Sequence, residues 1–207
     1  MVDILIGTKN DYKATEMAYF LGRFPQLKVH YWNELSINIK VEEDQSTLKK
    51  NAEKKAKAIS NLTAWYVLAS DGGIDIPGLG QKWDILRNQR IVGENKTDLE
   101  KANNLLRLME GLKGETRKVS YHLALALALK GKIIWSTEQI SDRGYIIEKL
   151  PDQKIPPYRW VGHIWYHPQY GKVFNQLTEK QKEGVRKYGA GIKKSLRGKI
   201  QEILNSS

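Results

Sequence analysis

Residues 121–129 read Tyr-His-Leu-Ala-Leu-Ala-Leu-Ala-Leu, and no other stretch constrains the fold as strongly. Alanine favours helices, but a strict period of two with alternating small and large residues suits a strand buried on both faces. Lys130-Gly131-Lys132 then reads as a hairpin turn into a second strand, and a third is predicted at about 138–148. The remaining elements are mixed. Residues 2–7 and 27–32 read as strands, and 64–70 as a buried strand broken by Asp71-Gly72-Gly73. Asn10 opens a helix with Ala14, Met17, Ala18 and Leu21 on one stripe. Thr47 opens another, in which Leu48, Ala52, Ala56 and Ile59 share a face. Thr97 with Glu100, and Thr178 with Gln181, are capping boxes. The first opens a helix with Leu99, Ala102, Leu105, Leu106 and Met109 towards the core. The last helix carries Ile192, Leu196, Ile200 and Ile203 on one side. A loop rich in proline and aromatics runs from Pro151 to Tyr170. The class is α/β, in a single domain over residues 1–207.

Composition narrows the function. With 207 residues, 41 % of them hydrophobic, the chain can bury a proper core as one domain or as two small lobes around one cleft. The absence of cysteine excludes disulfides, thiol nucleophiles and thiolate metal sites. No apolar run is long enough to cross a bilayer, and MVDILIGTKN turns polar too soon for a signal peptide, so a cytoplasmic protein is expected. The formal charge is +11, and nine of the basic residues lie between Lys172 and Lys199. Such an excess suits an anionic partner: a nucleic acid, a membrane surface or a phosphorylated small molecule.

Three segments carry possible phosphate and metal chemistry. In Gly7-Thr8-Lys9-Asn10-Asp11-Tyr12-Lys13, a turn feeds a helix N-terminus, which presents unpaired N–H groups to an anion. Thr8, Asn10 and Lys13 can add donors and charge, although for this segment taken alone a plain capping role for Asn10 is favoured. Glu42-Glu43 precede a helix bearing Asn51, Lys54, Lys55 and Lys57. Ser70-Asp71-Gly72-Gly73 follows a buried strand, where an acid often faces a ligand crevice and glycines permit close approach. Glu43 and Asp71 with several lysines make the parts of a Mg²⁺-triphosphate site, since Mg²⁺ takes one or two carboxylates and fills its octahedron with substrate oxygens and water.

These segments, in order, resemble the inosine triphosphate pyrophosphatase family, enzymes that hydrolyse non-standard purine nucleoside triphosphates to monophosphate and pyrophosphate. ILIGTKNDYK is similar to the family's T-G-N-x-x-K turn, and VEEDQSTLKKNAEKKAKA to its E-E-T-G-x-T-F-x-x-N-A-x-x-K-A segment. VLASDGGIDIPGLG resembles A-D-D-S-G-L-x-V. YGKVFNQLTEKQKEGVRKYG resembles Y-G-K-T-F-A-E-L-x-x-x-x-K-N-x-x-S-H-R-G. The resemblance implies an elongated mixed sheet flanked by helices, in two lobes around a central cleft, and a homodimer. It implies triphosphate contacts from Thr8, Asn10 and Lys13, with Gly72 beside the substrate. Mg²⁺ would sit on Glu43 and Asp71, Asp71 also orienting or deprotonating the attacking water. Lys55 and Lys182 fall on the family's phosphate and substrate lysines.

The departures concentrate on base recognition. Ser70 stands where the family has the first acid of its pair, and Asn88-Gln89-Arg90 where it has S-A-R. Its Ser-His-Arg signature falls on Arg186-Lys187-Tyr188, leaving Lys187 or Arg186 to stand in for the arginine. Its F-G-[YW]-D-P loop falls within RWVGHIWYHP, and no acid occurs anywhere from Gln153 to Thr178. Trp160, His163, Trp165, Tyr166 and His167 occupy that loop, with Trp160 and His163 as candidate base contacts. His163 and His167 have metal-ligand spacing, but without a third ligand a stacking or packing role is favoured. A retained phosphate half and a rewritten base half predict a divergent pyrophosphatase. Its preference for inosine and xanthosine triphosphates over standard nucleotides should be weaker than the family's, or shifted to another modified base. A catalytically weak nucleotide or single-strand nucleic-acid binder, and a phosphatase of related fold, are the alternatives.

Overall fold

The computed structural model describes residues 1–35, 39–151 and 159–206. Part of the proline- and aromatic-rich loop, residues 152–158, lies outside them.

Strands β1 (Val2–Ile6), β2 (Leu27–Tyr31), β3 (Tyr66–Asp75), β4 (Lys118–Leu129), β5 (Lys132–Ile146), β6 (Trp165–His167) and β7 (Lys172–Val173) form one mixed sheet in the order β2-β1-β3-β4-β5-β6-β7. β1 runs parallel to β2 and β3, with Ile4 opposite Val29 and Tyr66, whereas β5–β6 and β6–β7 are antiparallel. Among the described residues the α-helices are α1 (Asp11–Leu21), α2 (Leu48–Ser60), α3 (Asn88–Val92), α4 (Asp98–Leu108), α5 (Glu179–Arg186) and α6 (Ala190–Asn205).

The Leu/Ala alternation does form a strand covered on both faces, with Leu123 to Ala128 at most 2 % exposed. Its turn into β5 has two central residues with positive φ, Lys130 (47°) and Gly131 (72°), as a type I′ hairpin requires. The threonine caps also form: Thr47, Thr97 and Thr178 each accept from the N–H three residues on.

Three sequence expectations are corrected. β3 does not break at Asp71 but continues through Gly72-Gly73 to Asp75. A Cβ on Gly73 would stand 2.3 Å from the Ile85 carbonyl oxygen, so this glycine serves a close approach rather than a turn. The third strand expected at 138–148 is the second half of the long β5. Leu99 faces solvent, 53 % exposed, while Ala102, Leu105 and Met109 are fully buried.

The chain divides into two compact units. The first comprises residues 1–72, 123–139 and 189–207, and the second 73–122 and 140–188. In the first, Leu5, Ile59 and Val67 pack together beneath Trp32 and Trp65, and α1 packs on α6. In the second, a larger core gathers Trp83, Leu105, Met109, Trp160, Trp165 and Phe174, with α4 against the 160–163 turn.

Candidate active site

The sequence candidates Thr8, Asn10, Lys13, Glu43, Lys55 and Asp71 all lie in the first unit, and the fold brings them together. β1 ends at Ile6, and the Gly7 N–H donates to the Leu68 carbonyl (2.8 Å), which fixes the exit of the chain beside β3. The Asn10 N–H then donates to Thr8 Oγ1 (3.2 Å), and Asn10 Oδ1 accepts from the Lys13 N–H (3.1 Å) as the cap of α1. Asn10 is therefore a cap, and that role orients the turn. Thr8, Asn10, Lys13, Glu43, Lys55 and Ser70 line one cavity of about 310 Å³, with Trp32, Val41 and Ile59 as its apolar side.

The charges are interlocked. Lys55 Nζ donates to Glu43 Oε1 at 2.8 Å and stands 3.6 Å from Asp71 Oδ1, while Lys13 Nζ is 4.0 Å from the same oxygen. Asp71 is nearly sealed, with 6 % of its side chain exposed, whereas Glu43 is 47 % exposed. Asn51 Nδ2 donates to Asp71 Oδ2 (3.0 Å), and Asn51 Oδ1 accepts from the Gln45 N–H (2.9 Å). The Gly72 N–H donates to Asp71 Oδ1 at 2.9 Å. Asp71 is thus aimed by α2 and by its own strand. Burial, followed by the nearby Lys55 ammonium, holds the Lys13 ammonium below the usual lysine range, and Asp71, Glu43 and Glu16 oppose that shift.

Two participants escaped sequence reasoning. Ser70 Oγ is buried and unpaired, and it reaches the cavity beside Thr8. Asn51 had no visible task, because its bond to Asp71 spans 20 residues. The donor set suits a hard divalent ion: two carboxylates, a hydroxyl and open volume for phosphate oxygens and water. Among the described residues no cluster of three or more His, Asp or Glu forms a closed metal cage.

The remaining candidates lie in the second unit, apart from Gly72, which follows Asp71. Lys182 is buried, donates to Glu179 Oε1 (2.8 Å) and stands 5.9 Å from the centre of the Phe174 ring. Trp160 and His163 are buried at 7 % and 4 %, Trp160 within the unit's core. Desolvation lowers the pKa of His163. Lys187 is exposed on a 3-10 turn between α5 and α6. The basic C-terminal segment is partly engaged internally: Lys193 lies over Tyr19, Arg197 over Phe24, and Lys199 pairs with Glu202. Among the described residues no helix is long and apolar enough to cross a membrane.

Carboxylates, lysines and a helix N-terminus beside the end of β1 define an α/β protein suited to a phosphorylated ligand. Comparison with known proteins makes the class specific. A profile of the Ham1 family matches residues 4–197, and the chain belongs to that family. It is 30 % identical over 185 residues to a dITP/XTP pyrophosphatase of Geobacillus kaustophilus, covering 89 % of this chain and 88 % of the relative. It is 28 % identical to one from Desulforamulus reducens, with coverage of 98 % and 95 %. A HAM1 protein structure from Coxiella burnetii superposes with a TM-score of 0.77 over the whole of both chains at 22 % identity, which establishes the shared fold.

Proposed function

We propose that this chain is a Mg²⁺-dependent nucleoside triphosphate pyrophosphatase that releases monophosphate and pyrophosphate from non-standard purine nucleotides, with altered base specificity. The observation that carries this reading is the cavity where Glu43 and Asp71 flank Lys55, with Lys13 and the α1 N-terminus alongside. The dITP/XTP pyrophosphatase names of its relatives supply the substrate class and reaction.

Glu43 and Asp71 would hold Mg²⁺, which when bound supplies Lewis-acid stabilisation of the phosphate oxygens. Asp71, aimed by Asn51, orients the attacking water and accepts its proton as the new P–O bond forms at the α-phosphorus. The bond to the pyrophosphate oxygen breaks in line. Thr8, Asn10 and the adjacent N–H groups bind the triphosphate, and Lys13 and Lys55 offset the charge that grows on the leaving group. Gly72 leaves room beside the substrate. Lys182 belongs to substrate binding in the second unit, with Trp160, His163 and Lys187 as the further candidates there. A single catalytic domain made of both units, homodimerisation and a cytoplasmic location form part of the same proposal, taken from the family resemblance.

Incubation with inosine, xanthosine, guanosine and adenosine triphosphates plus Mg²⁺, counting pyrophosphate and orthophosphate separately, tests the reading. Pyrophosphate with matching monophosphate supports it. Orthophosphate alone would make the chain a phosphatase of related fold. Salt-sensitive binding to single strands without pyrophosphate release would make it a nucleic-acid binder.

A further inference from the structure

Among the described residues, Ser70 is the polar side chain of the phosphate-side cavity that the protein leaves without a partner. It is 4 % exposed on β3, and its Oγ is buried and unpaired. β1 and β3 run parallel with Ile6 opposite Leu68, so Thr8 and Ser70 each stand two residues beyond that pair, and both line the cavity. The other polar side chains there are engaged. Thr8 Oγ1 accepts from the Asn10 N–H, Asn10 Oδ1 accepts from the Lys13 N–H, and Lys55 Nζ donates to Glu43 Oε1. Lys9 Nζ lies 5.4 Å from the centre of the Trp32 ring, and Lys13 Nζ stands 4.0 Å from Asp71 Oδ1. A buried hydroxyl in that condition is unfavourable, and at a cavity wall it points to a ligand that completes it.

The charge around the hydroxyl decides the chemistry of that ligand. Lys9, Lys13 and Lys55 face Glu43 and Asp71, three positive charges against two negative. The positive end of α1 opens onto the same cavity at its cap, Asn10. A polyanion is therefore favoured here before any metal ion is bound. A serine hydroxyl adds a donor and no charge, and its bond to a phosphate oxygen is charge-assisted. A carboxylate in its place would cancel the excess positive charge and repel that oxygen. Mg²⁺ prefers carboxylate and water oxygens, which Glu43, Asp71 and solvent supply without Ser70.

We propose that Ser70 is a phosphate-contacting residue: its hydroxyl donates to an oxygen of the phosphate chain, and this cavity takes that chain without a metal ion. The ligand class rests on the pyrophosphatase reading above. The proposal separates two roles within it, because protein donors hold the phosphate chain while Mg²⁺ serves the bond-breaking step.

Calorimetry on the full chain in EDTA, with inorganic triphosphate as the probe, tests this. The wild type should bind, and Ser70→Ala should weaken Kd by about tenfold, the loss of one charge-assisted hydrogen bond. Ser70→Asp should weaken it further, by about a hundredfold, because a third carboxylate faces the phosphate. Without ligand, the Tm of Ser70→Ala should equal or exceed that of the wild type, since the hydroxyl has no partner to lose. Mg²⁺ binding in the absence of phosphate, measured separately, should stay within about twofold of wild type in Ser70→Ala. Failure of the wild type to bind triphosphate in EDTA, or an unchanged Kd in either variant, would overturn the proposal. Weakened Mg²⁺ binding in Ser70→Ala would make Ser70 a metal ligand and overturn it too. A lowered Tm alongside the lost affinity would mark a structural role, with the same consequence. Failure of the pyrophosphatase reading shows differently: no pyrophosphate from any nucleotide, while Ser70→Ala still weakens metal-free triphosphate binding.

Discussion

The two units handle buried charge in opposite ways. In the first, Asp71, Glu43, Lys55 and Lys13 contact one another within 4.0 Å at the edge of an open cavity, so an ionic ligand can replace those contacts with its own. In the second, charge is packed against aromatic rings, and burial with the nearby Arg159 pushes His167 down to about 4, which keeps it neutral. The first arrangement suits a triphosphate and a metal. The sequence departures gather mainly in the second unit, where Lys187, Tyr188 and the 159–168 segment leave the family pattern although Lys182 keeps it; in the first unit Thr8, Asn10, Lys13, Glu43, Lys55 and Asp71 keep it and Ser70 does not.

The most damaging change to the first unit should be Asp71→Asn, which removes the sealed carboxylate but keeps its shape. Pyrophosphate release should fall at least about a hundredfold, and Glu43→Gln should cost a similar factor. Near-normal turnover in Asp71→Asn, by steady-state assay, would erase the distinction between the units. Next in size is Lys13→Ala. Its Kd for a triphosphate should weaken by about tenfold or more, and far less for the corresponding monophosphate. Equal losses for both would remove Lys13 from the phosphate chain.

The smallest effect belongs to the second unit and sharpens the contrast from its side. His167 titrates near 4 in the folded chain against 6.5 for an ordinary histidine, so the unfolded state binds the extra proton between those values. Its contribution to stability is complete above pH 6.5 and declines as pH falls towards 4, with a slope of at most about 1.4 kcal/mol per pH unit. Denaturant unfolding across that range should show this slope in the wild type and a shallower one in His167→Gln. Identical slopes would mean that another group carries the titration.

What could be read from the sequence was local. Thr47, Thr97 and Thr178 cap helices through contacts three residues long, and the Leu/Ala alternation states its own burial. Contacts between distant residues were not readable. Gly72-Gly73 resembles a turn until the Ile85 carbonyl is seen packed on Gly73. The Asn51–Asp71 bond and the Arg159–Asp142 pair join residues 20 and 17 positions apart, and neither has a spacing signature. Lys13 and Lys55 could be named as phosphate ligands, but not the depressed Lys13 pKa, which burial and Lys55 produce only in the folded chain.

If the phosphate-binding residues are kept while base recognition is rewritten, the ratio of kcat/KM for inosine against guanosine triphosphate is the decisive quantity. With no acid from Gln153 to Thr178 and Lys187 in place of the signature histidine, the described residues that keep the family pattern handle phosphate. Pyrophosphate is therefore expected from both nucleotides, with kcat/KM values within about tenfold of each other. A preference for inosine triphosphate beyond about tenfold would overturn this expectation, because some residue would then distinguish the 2-amino group of guanine.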